Sequence, residues 1–175
     1  MGECYINHDW KKTKMCQVVI TRKHVTGNVT TCMYLVDLSC LGVKDTLFRF
    51  NISPEDFKNF LEKAGGAHLI SISYELAHNI VYAAIEYAEQ YGFMPHKNFS
   101  SITCYFLEED NDAVPLIKVQ CGGTEGKPLY TNTGFDNPAR EREILAQLER
   151  TAGQGNYHYI LPGSSEMYHE DYDED

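Results

Sequence analysis

The sequence predicts an α+β domain, a largely antiparallel sheet with about three helices packed on it. Three observations carry that expectation. β-favouring runs come in pairs joined by turn residues, helices are marked by capping signals, and no regular alternation of strand and helix argues for a doubly wound fold. The chain has 175 residues, the size of one domain, and such a domain buries about 70% of the surface its unfolded form exposes. It needs no disulfide or metal staple.

The elements follow in order. Residues 15–23, MCQVVITRK, are rich in β-branched side chains and lead to Gly27-Asn28, a pair suited to the positive φ of a tight turn. Val29 to Leu38 resumes the apolar run, so the two segments predict a hairpin. After Gly42, residues 46–51 (TLFRFN) predict a third strand with Leu47 and Arg49 on one side and Phe48 and Phe50 on the other. Ser53 then offers a cap, Pro54 suits the first helical position, and Glu55 and Asp56 complement the helix dipole. Phe57, Phe60, Leu61 and Ala64 share one face of that helix, which Gly65-Gly66 ends.

A second helix, about 73–91, starts after Ser71 or Ser73 and places Ala77, Ile80, Val81, Ala84, Ile85 and Ala88 on one stripe before Gly92 and Pro95 stop it. So much alanine lets a neighbour approach closely. Residues 101–107 and 114–121 flank the polar EEDNDA and predict a second hairpin, with GKPLYTN adding a strand. Asn137-Pro138 repeats the cap-then-proline signal before Ile144, Leu145, Leu148 and Ala152, and NYHYIL supplies a last strand. The order places the helices on one face. Residues 1–163 form the domain, and 164–175 an acidic tail expected to be disordered by charge repulsion.

Composition bounds the function. Six cysteines with no CxxC pair read as mostly buried thiols in a reducing compartment. The N-terminus carries charges where a signal peptide needs an apolar stretch, and no run of residues is long and apolar enough to span a membrane, so the expectation is a cytoplasmic protein. The net charge is −10, and the last ten residues hold six acids and no Lys or Arg. The mildly acidic body weighs against extended nucleic-acid binding, which rests on clustered cations.

Asp37, Lys44 and Asp45 in YLVDLSCLGVKD form the first candidate site: two carboxylates to hold a divalent metal and a lysine to steady a phosphate. The bland alternative is a solvent-facing Asp37 and turn chemistry at Lys44-Asp45. His78 on the second helix and His96 in MPHKNF can each serve as base or metal ligand, though no HExxH pair fixes two ligands on one face; a hydrogen-bonded boundary residue is the plainer reading of His78. EEDND lacks the glycine and distal glutamate of a calcium loop, and in CGGTEGKPLY Pro128 stands where a phosphate loop needs a hydroxyl. No cysteine sits in a context that obviously activates it.

The phrases YLVDLSCLGVKD, AHNIVYAAIEYAEQYGF with PHKNF, and GKPLY resemble an uncharacterised family of bacterial proteins, over roughly residues 16–132. The resemblance implies a bacterial cytoplasmic protein whose phrases belong to one module, and it implies no activity. Two functions are carried forward. The first is a non-catalytic binding or regulatory module acting through contacts with another protein, with the Tyr- and acid-rich C-terminus as a docking tail. The second is a small metal-dependent hydrolase, a phosphodiesterase or nuclease, with Asp37 and Asp45 as metal ligands, Lys44 on the phosphate and His78 or His96 as base. Only the second calls for a cofactor, a divalent metal.

Overall fold

In the computed structural model, residues 2–111 and 113–163 are described. Strands β1 (Cys4–Asn7), β2 (Met15–Lys23), β3 (Val29–Asp37), β4 (Gly42–Ile52) and β5 (Leu69–Ile72) form one antiparallel sheet in the order β4-β3-β2-β1-β5. The α+β class is therefore as expected. The β2–β3 hairpin pairs Val19 with Met33 and Ile20 with Cys32, and Gly27 closes its turn at φ 88°. β4 begins earlier than the apolar run alone implied. Leu35 faces Asp45 while Val36 faces Val43, which leaves Lys44 as the extra residue of a β-bulge.

Two short elements at the start escaped the sequence reading: β1 and the single-turn helix α1 (Trp10–Thr13). β1 reaches across the chain to pair with β5, Asn7 facing Leu69 and Cys4 facing Ile72. Helix α2 (Pro54–Lys63) starts where Ser53 Oγ accepts from the Asp56 N–H at 3.1 Å. Helix α3 (Tyr74–Glu89) starts likewise, Ser73 Oγ accepting from the Leu76 N–H at 3.1 Å.

The central packing helix is α3. Its Ala77, Ile80, Val81 and Ala84 are fully buried against Cys16, Val18, Ile20, Cys32, Tyr34 and Val36 of one sheet face. The expectation that the helices share one face does not hold. Phe60 and Lys63 of α2 and Ala64, its C-cap, line one cleft with Met33 and Leu47, which alternation assigns to the other face. The reason lies in the strands themselves: Val19, Met33 and Leu47 make the second face apolar too, so both faces need cover.

The second hairpin is absent. Residues Ser101–Tyr105 form helix α4, and Val114–Cys121 contains no strand. A local cap outweighs β propensity in the first segment, because Thr103 Oγ1 accepts from the Ser100 N–H at 3.0 Å. In the second, Asn79 of α3 holds the backbone on both sides, donating to the Pro115 carbonyl and accepting from the Ile117 N–H, each at 3.0 Å.

The last third is a βαβ unit. β6 (Leu129–Thr131) and β7 (His158–Ile160) pair in parallel, and α5 (Pro138–Thr151), capped by Asn137, makes the crossover. It has its own core of Tyr130, Ile144 and Leu148 around Cys40, Leu41, Ala88 and Phe93. Residues 164–175, the expected acidic tail, lie outside the described residues.

Candidate functional site

The turn between β3 and β4 is where the singled-out phrases meet. Asp37 is only 5% exposed. Its carboxylate accepts from the Ser39 N–H at 2.8 Å and the Leu41 N–H at 3.2 Å, capping the turn from inside. Burial pushes its pKa up from the ordinary carboxylate value, and those N–H groups and the Lys44 charge only partly counter it. Around this turn the Leu38 carbonyl accepts from Gly122 N–H, the Ser39 carbonyl from Leu129 N–H, and the Val43 carbonyl from His96 N–H. Gly42, at φ 70°, sits so close to α3 that a Cβ there would lie 2.9 Å from Ala88 Cβ and 3.1 Å from the Ala84 carbonyl oxygen. The alanine stripe thus serves the close approach that its composition implied.

Asp45 and His96 do come together. His96 Nδ1 lies 3.5 Å from Asp45 Oδ1, which also accepts from Asn98 Nδ2 and from the Thr46 N–H, both at 2.8 Å. Lys44, the bulge residue, is half-buried beside them in sequence. His78 belongs to another place. It is 1% exposed on α3, and its Nε2 faces the Glu108 carbonyl at 3.0 Å. A carbonyl only accepts, so Nε2 carries the proton it donates, and Nδ1 is buried without a hydrogen-bond partner among the described residues. The flanking Tyr74 and Tyr82 hydroxyls engage the same Glu108, the first accepting from its N–H at 2.7 Å and the second donating to its carbonyl at 3.3 Å. One face of α3 thus clamps the backbone of one residue, Glu108, on both sides.

These positions limit the chemistry. Asp37 has turned both oxygens into the backbone rather than outward, and among the described residues no group of three His, Cys, Asp or Glu side chains is arranged to hold a metal ion. Cys4 and Cys121 are pushed up to about 11, and Cys16 and Cys32 to about 12, by burial. Such thiols stay protonated at neutral pH, which removes the main requirement for thiolate attack. In the glycine-rich stretch, Gly123 N–H donates to the Lys127 carbonyl, Gly126 N–H donates to the Gly123 carbonyl, and Lys127 pairs with Glu125 at 3.0 Å. Those amides close their own turn instead of cradling a phosphate.

A second region went unnoticed in the sequence. Between α2 and the β3–β4 face lies an open cleft of about 440 Å³, lined by Met33, Leu47, Arg49, Ile52, Phe60 and Lys63 among others. Met33, Leu47 and Phe60 make its apolar floor, while Arg49 comes from the sheet and Lys63 from the helix. Asp45, Leu47 and Arg49 fall at alternate positions of β4, so they form one row with neighbours about 7 Å apart, and the Asp45–His96 pair stands at one end of it. The signal that could have found the cleft was the two-sided apolar pattern of the strands, because a helix covering a second face with one buried residue, Phe57, leaves room beside it.

No protein-family model, curated protein or solved structure matches the chain.

Proposed function

We propose that the protein is a non-catalytic binding module that acts through contacts with another protein, and that the cleft between α2 and the β3–β4 face makes those contacts. The observation that carries this reading is the lining of the cleft, an apolar floor with polar groups at its rim, in a volume of about 440 Å³ that falls within the range of small-ligand and side-chain pockets. The six free thiols support a reducing, cytoplasmic location, no described helix is long and apolar enough to cross a membrane, and the resemblance adds a bacterial source.

The test is a photo-crosslinking amino acid at position 60, compared with the same group at Leu116, which is 91% exposed away from the cleft lining. The expected result in an extract of the source cells is a protein joined at position 60 and not at 116. The same set of products at both positions, or none at either, overturns the reading.

One observation favours the second reading, a metal-dependent hydrolase of the phosphodiesterase or nuclease kind: the Asp45–His96 approach of 3.5 Å. It would rest on Asp45, His96 and Lys44 and do without Asp37, whose carboxylate faces the backbone, and His78, which is buried on α3 away from them with Nε2 on a backbone carbonyl. Binding of Mn2+ by the protein that is lost in Asp45→Ala would move the conclusion to it.

A further inference from the structure

The rim of the cleft is where its selectivity lies. Lys63 has no carboxylate partner among the described residues, and neither does Arg49, whose guanidinium donates only to the Phe48 carbonyl at 3.0 Å. The chain holds 25 acids against 15 Lys and Arg, so two cations with no ion-pair partner among the described residues, one from the sheet and one from the helix of one cleft, stand out from the composition. The one carboxylate in the lining, Asp56, is engaged by Ser53 Oγ at 2.7 Å. The Asn59 amide, also in the lining, has no hydrogen-bond partner among the described residues and can both donate to and accept from a peptide backbone.

The shape favours a chain over a compact ligand. β4 is an edge strand, and between Lys44 and Phe50 no backbone hydrogen bond from another described segment covers its outer side. Resting on the reading of the cleft as a protein-contact surface, we propose that it takes an extended peptide segment of a partner, one that sets an acidic side chain between Arg49 and Lys63 and an apolar side chain on Met33, Leu47 and Phe60. Paired cations on two elements favour a carboxylate, which accepts from both at once. An apolar neighbour in the segment supplies area burial on the floor.

The experiment uses the full chain and two fluorescein-labelled ten-residue peptides that alternate leucine with glutamate or leucine with lysine, read by fluorescence anisotropy. The glutamate peptide is expected to bind and the lysine peptide is not. Arg49→Gln and Lys63→Gln should each weaken binding about tenfold, the effect of losing one charge-assisted contact, with unchanged thermal unfolding because both side chains are exposed. Equal binding of both peptides, or no response to either Gln variant, overturns the acidic specificity. If Phe60→Ser then weakens both peptides alike, the contact surface itself survives. Absence of any peptide binding overturns the inference, and the crosslinking at position 60 separately decides the contact surface. Zero-length carbodiimide coupling of the protein alone provides the last arm: an intramolecular link from Lys63 to an acid of residues 166–175 would make the chain's own C-terminus the occupant and overturn the assignment to a partner.

Discussion

The carboxyl of Asp37 gives up solvent for two backbone N–H groups, and its titration records that exchange. Its folded-state pKa is raised, chiefly by burial, so the folded chain binds this proton more tightly than the unfolded one. The resulting stabilisation is fully present below the unfolded value near 4 and is lost as pH rises through the higher folded value. Asp37→Asn, which cannot titrate, should remove that component: urea midpoints of wild type and variant, followed upward from about pH 4, should converge as the wild type loses its advantage. Parallel pH profiles would refute the assignment. Sequence reading offered Asp37 as a metal ligand or a solvent-facing carboxylate, yet whether such a charge faces solvent or folds into its own turn depends on the chain that packs around it. His78 shows the same limit. Its place beside an apolar stripe was legible, whereas the Glu108 carbonyl that fixes its tautomer comes from a loop thirty residues on.

At the scale of elements, what could be read is what is locally determined. Ser53-Pro54, Ser73 and Asn137-Pro138 announce three helices because a cap needs only the next three residues. Helix α4 was read as a strand because SITCYFL carries strong β propensity, while the interactions that outweigh it join a local cap to partners in β3 and β4. The Thr103 hydroxyl donates to the Asn98 carbonyl at 2.8 Å, and Tyr34 of β3 donates to the Thr103 carbonyl at 2.7 Å. Thr46 of β4 reaches the same Asn98 carbonyl at 2.6 Å. Removing the hydroxyl in Thr103→Val should cost about 1–3 kcal/mol, the penalty of leaving a buried partner unmade, whereas Thr103→Ser should retain most of the stability. Equal urea midpoints for wild type and the valine variant would show that the clasp contributes nothing.

Over the whole molecule, two apolar clusters share the Leu38–Gly42 turn and α3. The larger lies between α3 and the sheet, the smaller within the βαβ unit. Strand identity at GKPLYTN and NYHYIL was visible, but their parallel pairing was not, because a parallel partner is chosen across a crossover and leaves no turn signature. The cleft was hidden for a related reason, since its walls come from separate elements. Leu148 is fully buried in the smaller cluster. Leu148→Ala should cost about 2–5 kcal/mol, and hydrogen exchange should show α5, β6 and β7 losing protection while β2 and β3 keep theirs. A uniform loss across the sheet would mean that the two clusters open as one.

The pairing of β1 with β5 bears on the order in which the molecule assembles. β2, β3 and β4 are neighbours in sequence and can zip through short turns, but Asn7 meets Leu69 only after the whole meander and α2 have been made. The entropy of closing that long loop must be met before the contact returns anything. On that ground the sheet is expected to grow from its hairpins towards β4 and to be closed last at β5, which pulsed hydrogen exchange during refolding would show as protection arriving later in β1 and β5 than in β2, β3 and β4.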